Sequence, residues 1–150
     1  VMKFKFPLQK VLEHRKVVEN IAQKDFQDAV AVLNEYQTKL DKMRQDILDA
    51  QARAGSLLQA GGAQGPALVQ IHEFLKGHKI RIQQQEQNIH EIEKIVEAKR
   101  EILRQAALDY KIMEKTRENQ FEEYKAERKI QDQKEMDEQA ILRFKGMKES

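Results

Sequence analysis

Apolar residues in this chain return at alternating steps of four and three, and the pattern runs far longer than a globular helix requires. From Leu8 the steps land on Leu12, Arg15, Glu19, Ala22, Phe26, Ala29, Leu33, Tyr36, Leu40, Met43, Ile47, Ala50, Ala54 and Leu57. Only Arg15 and Glu19 break the apolar character of this first stripe. From Leu68 a second stripe takes in Ile71, Leu75, His78, Ile82, Gln85, Ile89, Ile92, Val96, Lys99, Leu103, Ala106, Tyr110 and Met113, with His78, Gln85 and Lys99 as its polar members. A seven-residue repeat confined to so narrow a stripe defines a coiled-coil seam.

Helix breakers gather between the two stripes. Gly55, Gly61, Gly62, Gly65 and Pro66 lie close together, and elsewhere the only glycines are Gly77 and Gly146. The spacing predicts one helix over about 8–56, a loop over about 57–66 and a second helix over about 67–145, with Pro66 opening the second. Laid antiparallel about Gly61, the stripes set Leu8 against Met113, Leu12 against Tyr110, Arg15 against Ala106, Glu19 against Leu103, Ala29 against Ile92, Leu40 against Ile82, Met43 against His78 and Ala54 against Leu68, each pair summing to 121 or 122. Small residues then meet large ones, as interdigitating layers prefer. The expected fold is all-α: a long antiparallel two-helix coiled-coil hairpin with an extended C-terminal helix, a single domain over 1–150.

The extension is the informative part. Beyond Met113 the first helix has no residues left to pair, and the stripe thins to Phe121, Tyr124, Ile130, Met136, Ile141 and Phe144. Paired arms of this length reach roughly 70 Å, and the remainder projects on the order of 45 Å further at 1.5 Å per residue. A helix owes most of its stability to packing, so a lone one with a weak apolar stripe is expected to meet a partner.

Composition narrows the function. Charged residues make up 35%, glutamine occurs 18 times and aromatics reach only 6%, which favours long helices over a layered core. A net charge of +2 with interleaved signs is no nucleic-acid footprint. The absence of cysteine excludes disulfides, thiolate metal sites and cysteine nucleophiles. No apolar run approaches the roughly 18 residues that cross a bilayer, and Glu13, His14, Arg15 and Lys16 interrupt any signal-peptide core, so a soluble, intracellular chain is expected. His14, His72, His78 and His90 lack the spacing that builds a metal site on a helix. The glycine loop lacks the Lys-Ser/Thr of a phosphate cradle, and Glu122-Glu123 and Asp137-Glu138 have no concave pocket to tune them. The expectation is a protein without catalytic residues, cofactor or metal.

Two terminal motifs carry a resemblance. Phe6-x-Leu8-Gln9-x-Val11-Leu12-x-x-Arg15-x-x-x-Glu19 resembles the opening of the bacterial flagellar export protein family FliJ. Gln133-Lys134-Glu135-Met136-Asp137-Glu138-Gln139-Ala140, with Arg143 behind it, is similar to that family's C-terminal motif. The resemblance implies a stalk for the type III export ATPase, of the kind that enters the pore of a hexameric ring. It implies that Leu8, Arg15, Glu19, Asp137, Glu138 and Arg143 face that ATPase hexamer. It further implies that Ile71, Phe74, Leu75, His78 and Ile82 touch the membrane export gate protein, and that the chain assists export chaperones. The implied setting is flagellum biogenesis and motility, in the cytoplasm, peripheral to the inner-membrane export apparatus, with no membrane insertion and no nucleic acid. His78 departs from the aliphatic residue more usual in the family. Three other readings stand beside this one. A structural coiled-coil tether or spacer would want arms of equal length, and a clamp-like chaperone would want apolar tips such as Leu57 and Leu58. The third is the equivalent stalk of a virulence-type secretion system.

Overall fold

The computed structural model describes residues 3–61 and 64–149. It contains two α-helices packed against each other, α1 (Gln9–Ala60) and α2 (Gly65–Glu149), and no strand among the described residues. The fold is an all-α helical hairpin. Two compact units divide the chain. One comprises Ile21–Arg104; the other joins the residues up to Asn20 to those from Gln105 onward.

In the Ile21–Arg104 unit, the expected stripe is the buried one. Ala22, Leu40, Ala50, Ile89 and Val96 are buried, and the remaining stripe positions from Phe26 to Leu103 are buried or half-buried. Cross-helix bonds fix the register: His78 Nε2 donates to the Met43 carbonyl at 3.0 Å, and Gln85 Nε2 to that of Tyr36 at 3.0 Å. Both pairs are the ones the heptad alignment sets opposite each other. On the charged flank, Arg44 ion-pairs with Glu86 at 3.1 Å.

The turn is shorter than the sequence implied. α1 runs through Gly55 and Ser56 to Ala60, because a single exposed glycine costs a helix only about 1 kcal/mol, while half-buried Ala54 and Leu57 hold this turn against α2. Gly61 then takes φ +67°, the left-handed conformation that ends a helix and that glycine adopts without strain. Gly62 and Ala63, also assigned to the loop, lie outside the described residues. α2 starts at Gly65, where the Leu68 N–H reaches the Gln64 carbonyl at 3.0 Å. Pro66 sits in this first turn, whose N–H groups have no helical acceptor in any case. Nothing lies within 4 Å of a Cβ built on Gly55. Gly55→Ala is therefore expected to raise stability by about 0.5–1 kcal/mol, read as a melting point about 2–4 °C higher.

In the unit built from both chain ends, the sequence-based alignment needs a correction. Leu8 is 41% exposed and does not face Met113. Pro7 and Leu8 form a turn closed by the Gln9 N–H on the Phe6 carbonyl at 3.1 Å, and Leu8 supplies the first helical acceptor for Leu12. The turn swings Phe6 into the seam instead. Phe6 is buried in one cluster with Leu12 and Met113, with Phe4 and Tyr110 packed on it. Pairing also does not stop at Met113. The extended segment before Pro7 carries Phe4 onto Phe121 (centroids 5.1 Å apart, edge-on) and Tyr124 (5.5 Å), with Arg117 5.7 Å above the Phe4 ring. From Lys125 to Lys148 every side chain is exposed.

Candidate functional sites

The residues assigned to an ATPase ring fall into two groups, Leu8 in the turn before α1 with Arg15 and Glu19 on it, and Asp137, Glu138 and Arg143 on α2, roughly 40 Å apart along α2. In the first group, Arg15 does not hang free of the seam. Its Nη1 donates to the Asp109 carbonyl at 2.9 Å, one turn from the Ala106 position set opposite it. Glu19 is more awkward. Its side chain is 23% exposed, Oε1 lies 3.7 Å from Lys16 Nζ, and Oε2 is buried without a hydrogen-bond partner among the described residues. Lys16 also lies over the Tyr110 ring at 4.7 Å. Burial, followed by the nearby Glu114 carboxylate, pushes the Tyr110 phenol above its usual range. The second group is solvated: Asp137, which accepts a bond from Gln133 at 3.2 Å, and Glu138 and Arg143 are all exposed. They share the segment with Ile130, Met136, Ile141, Leu142, Phe144 and Met147, each more than half exposed.

Arg15, His78 and Gln85 obey one rule. Each is a polar seam residue whose donor ends on a backbone carbonyl of the facing helix. A helical carbonyl has a second lone pair, so it takes this bond without losing its own. A buried polar residue thus stays satisfied without any matching polar side chain opposite.

The residues assigned to an export gate are mostly engaged within the hairpin. His78 is buried, and Ile71, Leu75 and Ile82 are half-buried seam residues. Phe74, off the seam, is half-buried with its ring stacked on His78 (4.8 Å, 21°). Two residues absent from the sequence-based set complete this arrangement. Arg81 donates Nε and Nη2 to His78 Nδ1 at 3.3 and 3.1 Å and lies 5.8 Å from the Phe74 ring centre. With Nε2 donating to the Met43 carbonyl, Nδ1 is the ring atom left to accept from Arg81. Asp46 Oδ2, at 3.9 Å from Nε2, is beyond hydrogen-bonding distance and is held instead by Lys42, whose Nζ donates to Asp46 Oδ1 at 2.7 Å. Gly77 makes room: a Cβ there would stand 3.2 Å from Arg81 Nη1. A mid-helix glycine four residues before an arginine was the available signal. In the other unit the missed aromatics, Phe4 and Phe6, were marked by their two-residue spacing in a pre-proline segment, which favours extended chain with both rings on one face.

Among the described residues no group of His, Asp or Glu is arranged to hold a metal ion, and no helix is long and apolar enough to cross a membrane. The fold and its exposed C-terminal helix define a coiled-coil hairpin protein with one extended arm. The family described as flagellar FliJ protein matches residues 4–149, and the chain belongs to this FliJ family. A solved structure described as a putative YscO homolog from Chlamydia trachomatis shares the fold, with a TM-score of 0.51 over 99% of both chains at 21% identity. No curated protein sequence matches the chain.

Proposed function

We propose that this protein is the stalk of a flagellar type III export ATPase, linking the ATPase ring to the membrane export gate and assisting export chaperones from the cytoplasmic face of the inner membrane. The observation that carries this reading is the stretch from Lys125 to Lys148. It is helical, exposed along its length, and carries Ile130, Met136, Ile141, Leu142 and Phe144, each more than half exposed. A tether with level arms has no use for such a segment. A helix entering a ring does, because the ring supplies the packing that the free helix lacks. Membership of the FliJ family and the fold shared with a putative YscO homolog support the same reading.

The direct test is reconstitution with the purified export ATPase. Co-sedimentation with the hexamer and a severalfold rise in ATP hydrolysis are expected. A chain that neither binds nor stimulates, in cells whose export survives its deletion, would return the reading to a structural spacer.

A further inference from the structure

We propose that Arg81 and Phe74 form a docking point for a carboxylate on a partner protein, with His78 and Gly77 holding the guanidinium in place. Most surface arginines are mobile and their orientation is lost on binding. This one is held on two sides: its Nε and Nη2 end on His78 Nδ1, and its Cζ lies over the Phe74 ring, 5.8 Å from the centroid. His78 is itself buried and tied to the Met43 carbonyl, so the anchor is held from the facing helix.

The charge is also uncompensated. Among the described residues no carboxylate pairs with Arg81, and Asp46 on the facing helix is occupied by Lys42. Arg81 is exposed. Guanidinium has five N–H groups in a fixed planar fork, and only two are used here. The others offer the geometry that a carboxylate takes with two bonds at once. Gly77 is the independent clue. It disfavours the helix and makes no turn, and the nearest atoms its Cβ would meet belong to the Arg81 guanidinium. The fitting partner is an acidic side chain on a protein surface with an apolar patch for the edge of Phe74. That the carboxylate comes from the export gate rests on the function proposed above; that one binds here does not.

The test is NMR on the full-length, 15N-labelled chain, following the Arg81 Nε–H and the amides of 74–82. Sodium acetate and a glutamate-rich helical peptide are the probes, with sodium chloride at equal ionic strength as reference. A saturable shift at Arg81 is expected, half-complete at roughly 10–100 mM acetate and tighter for the peptide. Arg81→Lys is expected to weaken peptide binding at least about threefold, because a lysine cannot form the two-bond fork. Gly77→Ala is expected to weaken it similarly while melting at or above the parent temperature, so that affinity and stability move in opposite directions. Shifts matched by chloride, or full affinity in either variant, would overturn the proposal. Export assays separate it from the gate reading. Acetate binding with undiminished export in Arg81→Lys retains the docking point and removes the gate; impaired export in Phe74→Ala with no acetate binding does the reverse.

Discussion

A chain ended after Tyr124 is expected to melt within about 2 °C of the full-length protein and to lose all stimulation of the export ATPase. The two halves of that expectation have separate physical grounds. No side chain from Lys125 to Lys148 is buried, so the segment adds almost nothing to the packing that resists unfolding. The aromatic contacts of Phe4 with Phe121 and Tyr124 are retained in the shortened chain. The removed segment nevertheless holds every large apolar side chain assigned to the ring interface beyond the hairpin. Calorimetry and a coupled ATPase assay on the same preparation read both effects. A drop of many degrees would show that the segment packs on its own chain, and retained stimulation would place the ring contact elsewhere.

Glu19→Leu is expected to stabilise the hairpin by about 1–2 kcal/mol, whereas Arg15→Leu is expected to be close to neutral. Glu19 Oε2 is buried with no donor among the described residues, and an orphaned polar atom of this kind costs roughly 1–3 kcal/mol. Leucine removes that cost and adds apolar burial, discounted here because the glutamate is 23% exposed. Arg15 is different, because its bond to the Asp109 carbonyl is already made. Losing a charged donor bond, worth about 1.5–3 kcal/mol, offsets the apolar gain. Urea titrations of the two single variants separate these cases. The double variant then tests function: if these charges meet the ATPase ring, the stabilised protein binds it less tightly. A double variant that is more stable and binds the ATPase normally would make both residues seam mismatches and nothing more.

The hairpin and its register were legible because the heptad repeat is a long-range signal that single residues do not disturb. His78 opposite Met43 and Gln85 opposite Tyr36 follow from counting alone. The errors cluster where geometry departs from helix. Leu8 satisfied the repeat, but the Pro7–Leu8 turn ends the helix one residue before it counts, and Phe6 takes its place. The first helix was read as ending near residue 56, yet packing carries it on to Ala60. The candidate gate residues were harder still. Sequence showed which of them share the seam, but that Arg81 folds back over Gly77 onto His78 depends on side-chain torsions that no spacing rule records.

The carbonyl-directed bonds of Arg15, His78 and Gln85 have a consequence for how this chain tolerates change. Each acceptor is main chain, so the side chains at Asp109, Met43 and Tyr36 take no part in the bond. In these three bonds only the donor depends on the identity of a side chain. The acceptors of these three bonds persist when the side chains at 36, 43 and 109 change. The helix turns that supply these acceptors are left to vary their outward chemistry, and with it their choice of partners, while the bonds across the seam remain.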